Sequence, residues 1–140
     1  MRHNSIILIE NDVNLRQSIV LILQRAGYSV IATDCVYTAL EILKRRTCHL
    51  LVCDVSITET EKVLNPEMME IYPHLPLIIL TDESIAEVER DKLLFNAHYI
   101  TKPIAPESLL DYVSAILTQK DPPRYHNKAG FSLKNNSMHR

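Results

Sequence analysis

The chain has 140 residues, of which 46% are hydrophobic, and a formal net charge of -2 at pH 7. That length suits one domain with a real core, and the near balance of acids and bases makes no general case for nucleic-acid or membrane-surface binding. No apolar run is long enough for a membrane span, the amino terminus enters a strand without a signal-peptide core, and two glycines, Gly27 and Gly130, exclude a glycine-rich phosphate loop.

Short apolar runs alternate with helix-periodic stretches, which predicts buried parallel strands joined by helices. The first run, Ile6-Ile7-Leu8-Ile9, ends in Glu10-Asn11-Asp12. Asp12 or Asn14 can cap a following helix that runs to about Ala26. Leu15, Ile19, Ile22, Leu23 and Ala26 lie on one of its faces, and Gly27 closes it. A second strand covers residues 29–32. Val36, Ala39, Leu40 and Leu43 mark a second helix, with Lys44-Arg45-Arg46 at its negative end. The third strand, Leu50 to Asp54, ends on an acid.

Residues 56–65 are polar and acidic without a clear period, and Pro66 suits the first turn of a short helix through Met68, Met69 and Ile71. The fourth strand, Leu77 to Thr81, ends on a hydroxyl. Ile85, Val88, Leu93 and Leu94 mark a fourth helix. A short fifth strand, about residues 99–101, runs into Lys102-Pro103. Pro106 opens a last helix whose face holds Leu109, Val113, Ile116 and Leu117. From about Gln119 the pattern dissolves, so residues 1–118 read as the domain and 119–140 as a polar, mildly basic tail or linker. Cys35, Cys48 and Cys53 lack CxxC spacing and read as packing thiols of a reduced, cytoplasmic compartment. The six histidines show no metal-ligand spacing.

In an open parallel sheet the ligand crevice lies at the carboxyl ends of the strands, so one edge gathers acids, a hydroxyl and an amine. A carboxylate such as Asp54 can attack a phosphoryl phosphorus and form an acyl phosphate. Two anions must then meet, and a divalent magnesium ion on oxygen ligands offsets that repulsion. Glu10, Asn11 and Asp12 are candidates to hold it, with Lys102 as a second positive charge and Thr81 as a hydroxyl donor.

Glu10-Asn11-Asp12, the lone Asp54, Thr81 and the Tyr99-x-x-Lys102-Pro103 unit, in that order on five alternating units, resemble the receiver domain of the two-component response-regulator family. The resemblance covers residues 1 to about 118. It implies a doubly wound, five-stranded parallel sheet of flavodoxin-like order 2-1-3-4-5 with helices on both faces. It also implies that Asp54 is the phosphoacceptor, assisted by Lys102 and Thr81, with Tyr99 as the switch. Mg2+ would sit on Glu10, Asn11 and Asp54, and Asp12 could join only if its loop shifts. The implied donor is a sensor histidine kinase or phosphotransfer protein. The signalling surface would be about residues 85–117, with homodimerisation through it an open option. No DNA-binding helix pair follows residue 118, so the domain itself is not expected to touch nucleic acid. The downstream effector is unidentified. A stand-alone regulator and a piece of a longer one both fit.

Several positions depart from the family pattern. The second of two adjacent acids is Asn11, which brings no charge and predicts weaker magnesium binding. Thr58 and Lys62 stand where a proline and a glycine are usual, and Asp82 follows Thr81 where a small uncharged residue is common. The alternative reading is therefore a degenerate pseudo-receiver, a phosphorylation-independent interaction module of the same fold. A flavin or dinucleotide enzyme needs a phosphate loop after the first strand, and Glu10-Asn11-Asp12 would repel a phosphate there.

Overall fold

A computed structural model describes residues 4–54, 74–82 and 97–118. The five apolar runs become strands β1 (Ser5–Glu10), β2 (Ser29–Thr33), β3 (Leu50–Asp54), β4 (Leu77–Thr81) and β5 (Ala97–Thr101). All neighbours pair in parallel, in the order β2-β1-β3-β4-β5. Every residue of β3 and β4 is buried. That burial is why these strands read as unbroken apolar runs rather than alternating ones. Strand β5 begins at Ala97, two residues before the expected start, because Ala97 and His98 pair with Leu77 and Ile78.

Three helices are described: α1 (Val13–Arg25), α2 (Val36–Leu43) and α3 (Pro106–Leu117). Right-handed crossovers put α1 and α2 on opposite faces, because the chain steps from β1 outward to β2 and then back past β1 to β3. Asp12, not Asn14, caps α1: its Oδ1 accepts the Leu15 N–H at 2.9 Å. The helix closes at Gly27 (φ +101°), whose N–H donates to the Gln24 carbonyl while the Tyr28 N–H donates to that of Leu23. That pair of bonds needs a left-handed residue at the turn, a conformation only glycine adopts cheaply. Helix α2 starts from an unforeseen cap, the Cys35 Sγ, which accepts the Thr38 N–H at 3.4 Å. Pro106 opens α3, where its missing N–H costs no bond.

The core joins the inner strands to Ile19 and Leu23 of α1, Val36, Ala39, Leu40 and Leu43 of α2, and Leu109, Tyr112 and Val113 of α3. Only part of the α1 stripe is in it. Leu15 and Ala26 are exposed and Ile22 is half-buried. Cys53 is fully buried and Cys48 half-buried with its thiol donating to the Leu50 carbonyl, as packing roles require. Among the described residues no helix is long and apolar enough to cross a membrane. The expected helices through Met68 and Ile85, the departures Thr58 and Lys62, and the 119–140 tail lie outside the described residues.

Leu8 sits at the centre of β1 with none of its surface exposed. Leu8→Ala is expected to lower unfolding stability by about 2–5 kcal/mol, read as a lower urea midpoint with an unchanged slope.

Candidate functional site

The sheet order reverses between β1 and β3, so the crevice opens at their carboxyl ends. Glu10 and Asp54 are the last residues of those strands and are register partners. Register partners in a parallel pair project to the same face, which brings the two carboxyl groups together. Both are nearly sealed from solvent, at 3% and 5% exposure.

Each carboxyl group has one oxygen engaged and one unpartnered. Glu10 Oε2 accepts the Asp12 N–H at 2.9 Å. Asp54 Oδ1 accepts from the Lys102 Nζ at 2.7 Å. Glu10 Oε1 and Asp54 Oδ2 are buried with no hydrogen-bond partner. Two unpaired anionic oxygens buried side by side are costly, and a shared proton or a cation relieves them. Burial first, and then the closeness of Asp54, push the Glu10 carboxyl up to about 7, so near neutrality it is only partly ionised.

Lys102 stands on the far side of Asp54. Its backbone N–H donates to the Thr81 carbonyl at 2.8 Å, which ties the ends of β4 and β5 together, and the following Lys102–Pro103 peptide bond is cis. Burial lowers the Lys102 pKa, but the hydrogen bond and charge of Asp54, with Asp82 and Glu10 behind it, outweigh that and raise it overall. Asp82 Oδ1 lies 3.9 Å from the same amine, with its own side chain 84% exposed. Thr81 is buried at the end of β4, one residue beyond the level of Asp54, since Cys53 pairs with Ile79. Tyr99 is buried on β5 and shares a sheet face with Thr101, the register partner of Thr81.

Asn11 is exposed between Glu10 and the helix cap, while the Asp12 carboxylate is committed to the cap. Among the described residues no group of three or more His, Cys, Asp and Glu side chains could by itself hold a metal. The donors that fit a small hard cation are the two unpartnered carboxylate oxygens, with the Asn11 amide beside them in the chain. Sequence reasoning missed Arg16, whose Nη1 donates to the Glu10 carbonyl at 2.8 Å and braces the loop. Its spacing of four from the Asp12 cap was the available signal.

A cleft of about 490 Å3 leads away from Asp54, Lys102 and Asp82, between the α1 residues Leu15, Ile19 and Ile22 and the Ile104 and Leu109 side. The exposed end of the α1 stripe thus lines the approach to the acids.

The metal-free protein should show the Glu10 proton in its stability. A carboxyl group whose folded pKa is raised stabilises fully below its unfolded value, near 4.5, and loses that contribution as pH climbs toward 7. Glu10→Gln should flatten this decline and exceed the unsubstituted protein at about pH 8 by about 1–3 kcal/mol, measured by urea unfolding in chelator. A slope that survives the substitution would assign it elsewhere.

Comparison with known proteins agrees with this fold. Residues 6–114 match the family described as response regulator receiver domain. The chain is 26% identical over 122 residues to the probable transcriptional regulator ycf29 of Cyanophora paradoxa, covering 82% of this chain and 57% of that protein. It is 28% identical over 115 residues to the response regulator protein FleR of Pseudomonas aeruginosa, covering 78% of this chain and 24% of that one. It therefore spans from about a quarter to just over half of these relatives' lengths. In fold it is similar to the chemotaxis response regulator CheY4 of Vibrio cholerae (TM-score 0.72, 22% identity, 82% of this chain and 99% of that one). It is equally similar to a CheY-like receiver domain protein of Methanospirillum hungatei (TM-score 0.73, 22% identity, 84% and 96%). With the family matched over most of its length and the sheet order that the resemblance implied, the chain belongs to the response regulator receiver domains of two-component signalling.

Proposed function

We propose that the chain accepts a phosphoryl group on Asp54 from a histidine kinase or phosphotransfer protein and passes the signal on through a change at β5 and α3. The carrying observation is the 2.7 Å Lys102–Asp54 pair beside two unpartnered carboxylate oxygens at the switch point of the sheet.

The geometry supports a role for each residue. Asp54 Oδ2 is the nucleophile, since it is the oxygen not held by Lys102. In-line attack needs little covalent help beyond orientation and charge stabilisation. Lys102 fixes the carboxylate and meets the charge arriving on the phosphoryl oxygens. Thr81, at the carboxyl end of β4, would donate its hydroxyl to one of them. Glu10, Asn11 and Asp54 would hold Mg2+, which when bound neutralises charge between the carboxylates and the phosphoryl group. Glu10 must give up its proton to serve, so metal binding should release a proton and strengthen as pH rises through about 7. Tyr99, buried behind Thr81, is the switch residue that reports the event to the 97–117 surface. The cleft along α1 is where the donor would approach. The output lies with a downstream effector or, as in the longer relatives, with further parts of a larger protein.

A second reading has one observation in its favour. Asn11 leaves the pocket with two carboxylates rather than three, as in a pseudo-receiver that acts through contacts alone. The readings part on labelling. Acetyl phosphate or phosphoramidate with magnesium should add a phosphoryl mass to the chain. Asp54→Asn should abolish it and Lys102→Ala should slow it by about a hundredfold. Absence of any adduct, together with no beryllofluoride-induced NMR change at saturating magnesium, would leave the pseudo-receiver.

Asp12 gives a separate test of the metal set. Asp12→Ala should cost about 1 kcal/mol of stability through the lost cap, yet weaken magnesium binding less than Glu10→Gln does. Magnesium titration of both variants followed by NMR decides between a capping and a ligating Asp12.

A further inference from the structure

Asp82 is the charged group of this edge that the proposed phosphotransfer leaves unused. Its Oδ1 lies 3.9 Å from the Lys102 Nζ, which contacts Asp54 Oδ1 at 2.7 Å. Asp82 also lines the mouth of the cleft with Asp54 and Lys102, and its side chain is 84% exposed. The one lysine amine of the pocket is therefore flanked by carboxylates, one buried and one at the entrance. Asn11 removes an acid from the metal side of the pocket, and Asp82 adds one on the lysine side.

We infer that Asp82 is a specificity-determining residue that selects phosphodonors by the charge of their leaving group, favouring nitrogen-linked donors over acyl phosphates. This rests on Asp54 being a phosphoacceptor. In either reaction an Asp54 lone pair forms the new O–P bond. With phosphoramidate the P–N bond breaks, its electron pair returns to the protonated nitrogen and ammonia departs. With a ring-protonated phosphoimidazole the pair returns to the phosphorylated ring nitrogen and neutral imidazole departs, its proton on the other ring nitrogen. With acetyl phosphate the P–O bond breaks and acetate departs as an anion. Asp82 opposes the second donor twice, as a dianion enters the cleft mouth and as negative charge grows on the leaving oxygen. A protonated nitrogen at the same place is attracted instead. Because Asp82 is mostly in water, the effect is modest and salt-dependent.

The test is labelling of the full chain in magnesium with acetyl phosphate and with phosphoramidate, comparing the unsubstituted protein with Asp82→Asn and Asp82→Ala at low and high salt. Both variants should raise the acetyl phosphate to phosphoramidate rate ratio by about three- to tenfold at low salt, with the gain shrinking at high salt. A ratio unchanged in both variants, or a gain that ignores salt, overturns the inference while leaving Asp54 a phosphoacceptor. Acetyl phosphate labelling seen only in the variants supports it. No labelling of any protein by either donor defeats this inference and the phosphoacceptor reading together.

Discussion

The contact between Lys102 and Asp54 organises the edge of this sheet. A carboxylate only 5% exposed costs several kcal/mol to ionise unless a cation compensates it. The chain supplies one from the end of β5, two strands away. The amine reaches Asp54 because the Lys102 N–H is tied to the Thr81 carbonyl, which holds the loop after β5 over the end of β4. Asp54 stays buried because the residues before it in β3 are sealed on both faces. The parallel core thus dictates where an acid can sit, and the acid dictates where a lysine must be.

Glu10 meets the same constraint and solves it differently. It has no lysine of its own, and burial beside Asp54 pushes its carboxyl up to about 7. Its loop is nevertheless rigid. Arg16 holds the Glu10 carbonyl, the Asp12 N–H holds Oε2, and the Asp12 carboxylate caps α1. Amine and proton therefore both serve to offset charge in one anionic pocket. Such sites couple ligand binding to pH without any change of fold.

Much of this was legible in the sequence because it follows from continuous patterns. Unbroken apolar runs marked β1, β3 and β4, and acids at the ends of two of them marked the crevice. What escaped depends on contacts across the chain. The early start of β5 reflects pairing of Ala97 and His98 with β4, which no local propensity of Ala-His reveals. Cys35 as a helix cap runs against the usual preference for oxygen side chains. Leu15 and Ile22 fit the helical period of α1 yet line a cleft, because periodicity marks an apolar face without saying what covers it. Arg16 lies six residues from the Glu10 carbonyl it holds, a contact that no local pattern specifies.

The same division of oxygens holds for the glutamate at the end of β1. Its additional methylene lets Oε2 fold back on the Asp12 N–H, while Oε1 remains beside Asp54 Oδ2. Asp54 repeats the arrangement, with Oδ1 held by Lys102 and Oδ2 left over. Each acid is oriented through one oxygen and leaves the other unpartnered. A cation between the unpartnered pair would leave the Lys102 contact with Asp54 in place. Charge can therefore be traded around the rim, from position 11 to position 82, while the geometry at Asp54 stays under the control of the buried strands.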